Sequence, residues 1–178
     1  MAASDVPSWD DLVEQIRRVW DGRLAPIRPE LVHPRVSDRT GRFLTAVGLP
    51  TVDVRDIGFV HDERLLSIFS RAGRDYLIVT AEPDYRYGVD LESDGVICLY
   101  DRYPADDTLA NSSIAAFVLT LGLFHTHLFE GNAGTQASVA DAVDTIWDQL
   151  DRWDPAAVND HAGHWSTLLD EYAMEYDD

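Results

Sequence analysis

Apolar side chains recur at helical spacing near the start of the chain. Trp9, Leu12, Val13, Ile16, Val19 and Trp20 fall on one face and predict an amphipathic helix over residues 8–21. Ser8 followed by Asp11 resembles a capping box, with Asp in place of the usual Glu. Residues 22–36 carry Pro26, Pro29 and Pro34, which suits an extended connector. Ser37 is placed to cap a short helix burying Phe43, Leu44 and Val47. Gly48 should end that helix in the left-handed conformation, and Pro50 prevents its continuation. The period then changes. TVDVRDIGFV (51–60), RLLSIFSRA (64–72), DYLIVTAEP (75–83), YRYGVDLE (85–92) and GVICLYDRY (95–103) are rich in β-branched and aromatic residues, as strands are. Turn residues separate them at Ala72-Gly73, at Glu82-Pro83-Asp84 and at Glu92-Ser93-Asp94-Gly95, the last a good hairpin turn.

The most apolar stretch is LANSSIAAFVLTLGLFHTHLF, residues 109–129. A membrane span needs roughly 20 apolar residues. Here only 11 run from Ile114 to Phe124, and Thr120 and Gly122 interrupt them. Apolar residues point in almost every direction of the helical wheel, which predicts a buried central helix. Asn111 is a suitable N-cap and Gly131 a suitable stop. Thr135 to Arg152 predicts a further helix. Its apolar face is Val139, Val143, Ile146, Trp147 and Leu150; Asp141, Asp144, Asp148 and Asp151 lie opposite, and Asp154-Pro155 ends it. Asp160 is placed to cap a last helix carrying Trp165, Leu168, Leu169, Tyr172 and Tyr176. The order of elements predicts an α+β fold, a largely antiparallel central sheet of about five strands flanked by helices. A single domain over 1–178 is expected, with the N-terminal helix and connector (1–36) leading into a core at 37–176.

Charge alters this picture most. Asp and Glu total 32 against 14 basic residues, all of them arginine, for a net charge of −18. Such a chain repels nucleic acid and attracts a basic partner. Residues 135–178 hold 11 acidic residues and one basic residue, Arg152, more than half of the net charge. The absence of lysine excludes Walker A loops, Schiff-base lysines and lysine general bases. Cys98, the only cysteine, excludes an intramolecular disulfide and a Cys-rich zinc site, and its apolar surroundings predict a buried thiol. The N-terminus shows no basic and apolar signal-peptide regions, so a cytoplasmic protein is expected.

A search for catalytic chemistry finds little. His125 and His127 point about 200° apart on a regular helix and cannot share one ion. His125 falls beside Ile114, Val118 and Leu121, as a hydrogen-bonded core histidine would. His161 and His164 can share a face, but no HExxH and no third ligand accompany them. GxSxG, GxGxxG and GxxxxGK[ST] are all missing. Asp90 and Glu92 share a strand face by default. Neither an enzyme, a metal nor a cofactor is expected.

Three segments in order carry a resemblance: FLTAVGLPT (43–51), YLIVTAEPDYRYGVDLESDGVICLYDR (76–102) and LANSSIAAFVLTLGLF (109–124). Together they resemble the SUKH superfamily, in particular its fourth subfamily of bacterial immunity proteins. WDPAAVNDHAGHW (153–165) is similar to the end of that subfamily's domain, and the resemblance covers residues 30 to 176. It implies a non-enzymatic binder, made in the same cell as a polymorphic secreted toxin and neutralising it by binding. The toxins of such systems are often nucleases or nucleic-acid deaminases, whose clefts are basic. The expected partner is therefore a basic cognate toxin domain, with no direct nucleic-acid contact and no membrane. The alternative is a regulatory interaction module of the same superfamily with a non-toxin partner. A small acid/base or metal enzyme is the reading from another class.

The resemblance does not fix the contact surface. Interface hot spots favour Tyr, Trp and Arg. Two segments combine these with acid: Asp84, Tyr85, Arg86 and Tyr87 between two strands, and Asp101, Arg102, Tyr103, Asp106 and Asp107 before the buried helix. Both are expected to contact the partner. Reversing the charge of Asp101, Asp106 and Asp107 is expected to slow association and leave folding intact.

Overall fold

A computed structural model describes residues 8–59, 66–80, 82, 84–129, 136–158 and 163–175, excepting the side chains of 136–138 and 171–175. Gly131, Asp160, His161 and Tyr176, and the side chain of Tyr172, lie outside what it describes. The first helix, α1, is Trp9–Trp20. The Ser8 side chain accepts from Asp11 N and the Asp11 carboxylate accepts from Ser8 N, so the predicted capping box forms with the shorter acid. β1 (Leu24–Ala25) lies in the proline-containing connector, and Pro29–Leu31 form a 3₁₀ turn. α2 (Asp38–Ala46) is capped by Ser37 and buries Phe43 and Leu44. Gly48 follows at φ +94°. A Cβ there would lie 2.0 Å from the Ala25 carbonyl oxygen. Only glycine lets the chain leave α2 and bring β2 (Leu49–Pro50) antiparallel to β1.

The main sheet is a five-stranded antiparallel meander in the order β3 (Ile68–Arg71), β4 (Arg74–Ile78), β5 (Tyr85–Asp90), β6 (Val96–Tyr100), β7 (Thr108–Asn111). The α+β architecture is as expected, with two differences in the strands. Within TVDVRDIGFV the described residues 51–59 form no strand: Val54 bridges Ile57 and Phe59 bridges Thr80 as isolated bridges. The fifth strand is β7, which ends at Asn111, where the cap of the buried helix was expected. It acquires its conformation by pairing with β6 across a register shift at Val96/Ile97. β5 opens at Tyr85, where the strand reading of 85–92 puts it, so of Asp84–Tyr87 only Asp84 lies between strands.

Strand alternation gives the sheet two unlike faces. Tyr87, Val89, Val96 and Cys98 join the main core, while Tyr76, Ile78 and Leu99 form a small separate cluster with Phe69 and Ile97. α3 (Ile114–Phe124) lies on the inner face, and all eleven of its residues are buried. The Phe117 ring meets Tyr87 at 4.7 Å. On the opposite side of α3, Trp20 of α1 donates to the Val118 carbonyl at 2.9 Å, and a Cβ on Gly122 would come within 2.7 Å of Val19. A helix held between a sheet and a second helix has no solvent face, which accounts for its uniform apolarity.

The Asn-Ser-Ser motif works differently from its predicted role. The N-cap of α3 is Ser113, which accepts from Ala116 N at 3.3 Å. Asn111 ends β7, where its side chain is committed to distant partners. Its amide donates to Thr120 Oγ1 (3.0 Å) and Asp154 Oδ2 (2.9 Å), and its carbonyl accepts from the Trp165 indole at 3.0 Å. Asp154 Oδ2 also accepts from Ser112 N at 2.8 Å. Asn111, Thr120 and Asp154 are buried, so these bonds replace water.

After α3, residues 125–129 widen into a π-helical turn. His125 stacks on Trp20 with ring centroids 5.6 Å apart, and an Arg23 N–H donates to its Nε2 at 2.8 Å. The histidine is hydrogen-bonded as expected, at the margin of the core. α4 is Gln136–Trp153 and α5 is His164–Glu175, separated by a 3₁₀ turn at Pro155–Ala157. α4 buries Val139, Ala142, Ile146 and Leu150, and Asp141, Asp144, Asp148 and Asp151 are exposed.

Candidate functional site

A cavity of about 680 Å³ opens where the inner face of β5 and β6 runs past α3. The alternation of β5 points Tyr85 and Tyr87 into it; β6, in register, adds Cys98 and Tyr100. Phe124 and Leu121 close one side from α3, and His164, Trp165 and Leu168 of α5 form another wall. The loop at 54–57 and the turn at 103–108 make the mouth. The size is that of a small-ligand site, large enough for more than one side chain.

The interior is aromatic and electrically neutral. Tyr85 meets Tyr87 edge-on at 5.7 Å and Tyr100 at 6.3 Å. Tyr87 and His164 share a buried hydrogen bond of 2.7 Å, and the Trp165 indole donates to the Ala110 carbonyl at 2.8 Å. Burial pushes the Cys98 thiol up to about 12 and the His164 imidazole down to about 4. Burial, helped by Glu82, Cys98 and Asp56, raises the Tyr85 phenol to about 12. Burial likewise raises Tyr87 and Tyr100. Each shift favours the uncharged form, as expected for groups removed from water.

The mouth is different. Tyr103 is 65 % exposed, the most exposed large apolar side chain among those described. Asp106 is exposed and has no ion pair among the described residues. Asp56 stands 3.8 Å from Arg55.

Five of the nine residues predicted to contact a partner meet at this cavity: Tyr85, Tyr87, Tyr103, Asp106 and Asp107. Tyr87 lies deep, at 1 % exposure. Asp107 is structurally occupied, accepting from Arg71 Nη1 at 2.9 and 3.1 Å and from Tyr100 N at 2.9 Å. The other four lie elsewhere. Arg86 projects from the opposite face of β5, over the Phe69 ring at 4.9 Å, and pairs with Asp101, which also lies 3.6 Å from Arg71. Asp84 and Arg102 form an exposed pair at 3.5 Å. The expectation that Asp101 and Asp107 tolerate charge reversal is therefore corrected. Both hold arginines, and reversal would set like charges together at the end of β6. Only Asp106 of the three is unencumbered.

Sequence reasoning missed Tyr100, Phe124, His164 and Trp165 as cavity residues. Tyr100 was accessible to it, because Tyr85-x-Tyr87 and Cys98-x-Tyr100 alternate in the same way on strands joined by a hairpin. His164 and Trp165 arrive from another element, and no local signal announces their position.

Among the described residues, no group of three or more His, Cys, Asp or Glu side chains is arranged to hold a metal ion, and no helix is long and apolar enough to cross a membrane.

The architecture is that of an α+β domain in which helices flank an antiparallel sheet. The sequence matches the family described as SUKH-4 immunity protein over residues 4–171, and the chain belongs to that family. Membership carries a toxin-immunity function, exercised by binding a cognate toxin, in a family that is generally non-enzymatic. No curated protein and no solved structure matches the chain.

Proposed function

We propose that this protein neutralises a basic, nucleic-acid-targeting toxin in the cytoplasm of the cell that makes it, by binding the toxin and covering its cationic cleft. The observation that carries the reading is the sign and placement of charge. The net charge is −18, and Asp141, Asp144, Asp148 and Asp151 stand exposed along α4 with Asp106 at the cavity mouth. A cleft built to draw in a polyanion draws in such a surface by the same field, raising the association rate and excluding the substrate. The protein supplies no chemistry in this role. Complementary charge and a buried aromatic anchor are sufficient.

Co-expression with the C-terminal domain of the nearest large secreted protein encoded in the same genome tests the reading. A 1:1 complex that restores growth, and whose association slows steeply with added salt, is the expected result. Absence of both complex and rescue would refute it and favour a regulatory module with a cellular partner.

A further inference from the structure

We propose that the cavity between β5, β6 and α5 receives a bulky uncharged side chain from an extended toxin loop, and that a Lys or Arg beside it in the loop meets Asp106 at the rim. The inference rests on the toxin-binding reading above and names what the toxin must present. The interior selects against charge. The polar groups on its floor are the Cys98 thiol, the tyrosine phenols and the His164 imidazole, uncharged at neutral pH and made harder to ionise by burial. A guanidinium or phosphate pushed to the floor would lose its hydration with no counter-ion to meet it. An aromatic or aliphatic side chain instead finds Phe124, Trp165 and Leu168, with phenol hydroxyls beside them for a loop backbone to bond.

The rim selects for positive charge. Arg55 stands beside Asp56, and Asp107 is taken up by Arg71, so Asp106 is the carboxylate at the opening that has no ion pair among the described residues. Tyr103, on the same turn, is exposed and of a residue type that hot spots favour. With a volume of about 680 Å³, the cavity has room for a bulky side chain together with the loop backbone that carries it. An apolar residue followed by a basic one therefore satisfies both zones.

The test uses the full chain and three capped dipeptides at millimolar concentration: Ac-Phe-Arg-NH2, Ac-Phe-Glu-NH2 and Ac-Gly-Arg-NH2. Ac-Phe-Arg-NH2 should shift the NMR signals of Tyr85, Tyr100 and Trp165 and bind about tenfold more tightly than the other two. Ala105→Trp, from an exposed position on the lining, should close the mouth and abolish those shifts. It should also weaken the toxin complex about tenfold or more. Thr167→Trp, exposed on the α5 wall, repeats the test without touching the 103–108 turn. Equal binding of Ac-Gly-Arg-NH2, or no shift with any peptide, overturns the inference. If either tryptophan variant stays folded and holds the toxin as tightly as wild type, the cavity is not the anchor site and toxin binding itself stands. If the wild-type chain fails to bind the toxin, both readings fall.

Discussion

Replacing His164 with Gln should remove a specific part of the protein's acid sensitivity. The imidazole is 7 % exposed and hydrogen-bonded to the Tyr87 hydroxyl at 2.7 Å. Burial lowers it from its ordinary 6.5 to about 4. Between those values the unfolded chain binds a proton at this site and the folded chain does not. Stability therefore falls as pH drops through that window, by about 1.4 kcal/mol per unit, for a total of about 3 kcal/mol by pH 4. Above 6.5 both states are neutral and the site contributes no pH dependence. Gln keeps a hydrogen-bonding partner for Tyr87 and does not titrate. Urea unfolding, followed by tryptophan fluorescence across this range, should give wild type the steeper acid limb. Asp11 and Asp75, held low chiefly by hydrogen bonds from Ser8 and Ser70, add their own loss on acidification. That loss is common to both proteins and cancels in the difference. Parallel profiles would show that His164 is protonated in the folded state or is reached by water, and the neutral cavity interior would fall with it.

Gly122→Ala should destabilise the fold by about 1–3 kcal/mol in urea unfolding, because the added methyl enters Val19 and Trp20 of α1, outweighing the roughly 1 kcal/mol of helix propensity gained. Asp154→Ala should cost about 3 kcal/mol in the same assay, since it strips the acceptor from Ser112 N and the Asn111 amide in a buried setting. Asp106→Arg should slow toxin association in stopped-flow mixing and leave the melting temperature unchanged, whereas Asp107→Arg should lower the melting temperature by breaking the Arg71 contacts. The Cys98 thiol, pushed up to about 12 by burial, should react with a disulfide reagent at neutral pH far more slowly than an exposed thiol.

What could be read in the sequence was what local chemistry decides. Ser8 with Asp11, Ser37, and Glu92-Ser93-Asp94-Gly95 act on neighbours within four residues, and the structure has the caps and the hairpin where those residues put them. The uniform apolarity of Ile114–Phe124 marked it as central, because such a helix has to be enclosed on every side. Choices made by distant residues were not legible. Asn111 has the chemistry of an N-cap, yet Asp154 and Trp165 claim its side chain from 43 and 54 residues away, and Ser113 caps instead. Thr108–Asn111 is extended because β6 offers it an edge, and 51–60 had strand composition without a long partner. At the cavity, Tyr85, Tyr87 and Tyr103 could be singled out by residue type. The wall facing them could not, since nothing in His164-Trp165 says which strands it will meet.

That wall has a consequence for the timing of synthesis. The floor of the cavity is laid down by residues 85–100, and His164 and Trp165 leave the ribosome more than sixty residues later. The Trp165 indole bonds Ala110 and Asn111 at the far edge of the sheet, so β7 and the cavity are completed in the same docking event. A nascent chain can pair β4, β5 and β6 early, as local hairpins do, while its inner tyrosines stay open to water. Binding competence is then reached in one step once α5 docks, and a product truncated before His164 would carry the acidic surface without the finished pocket.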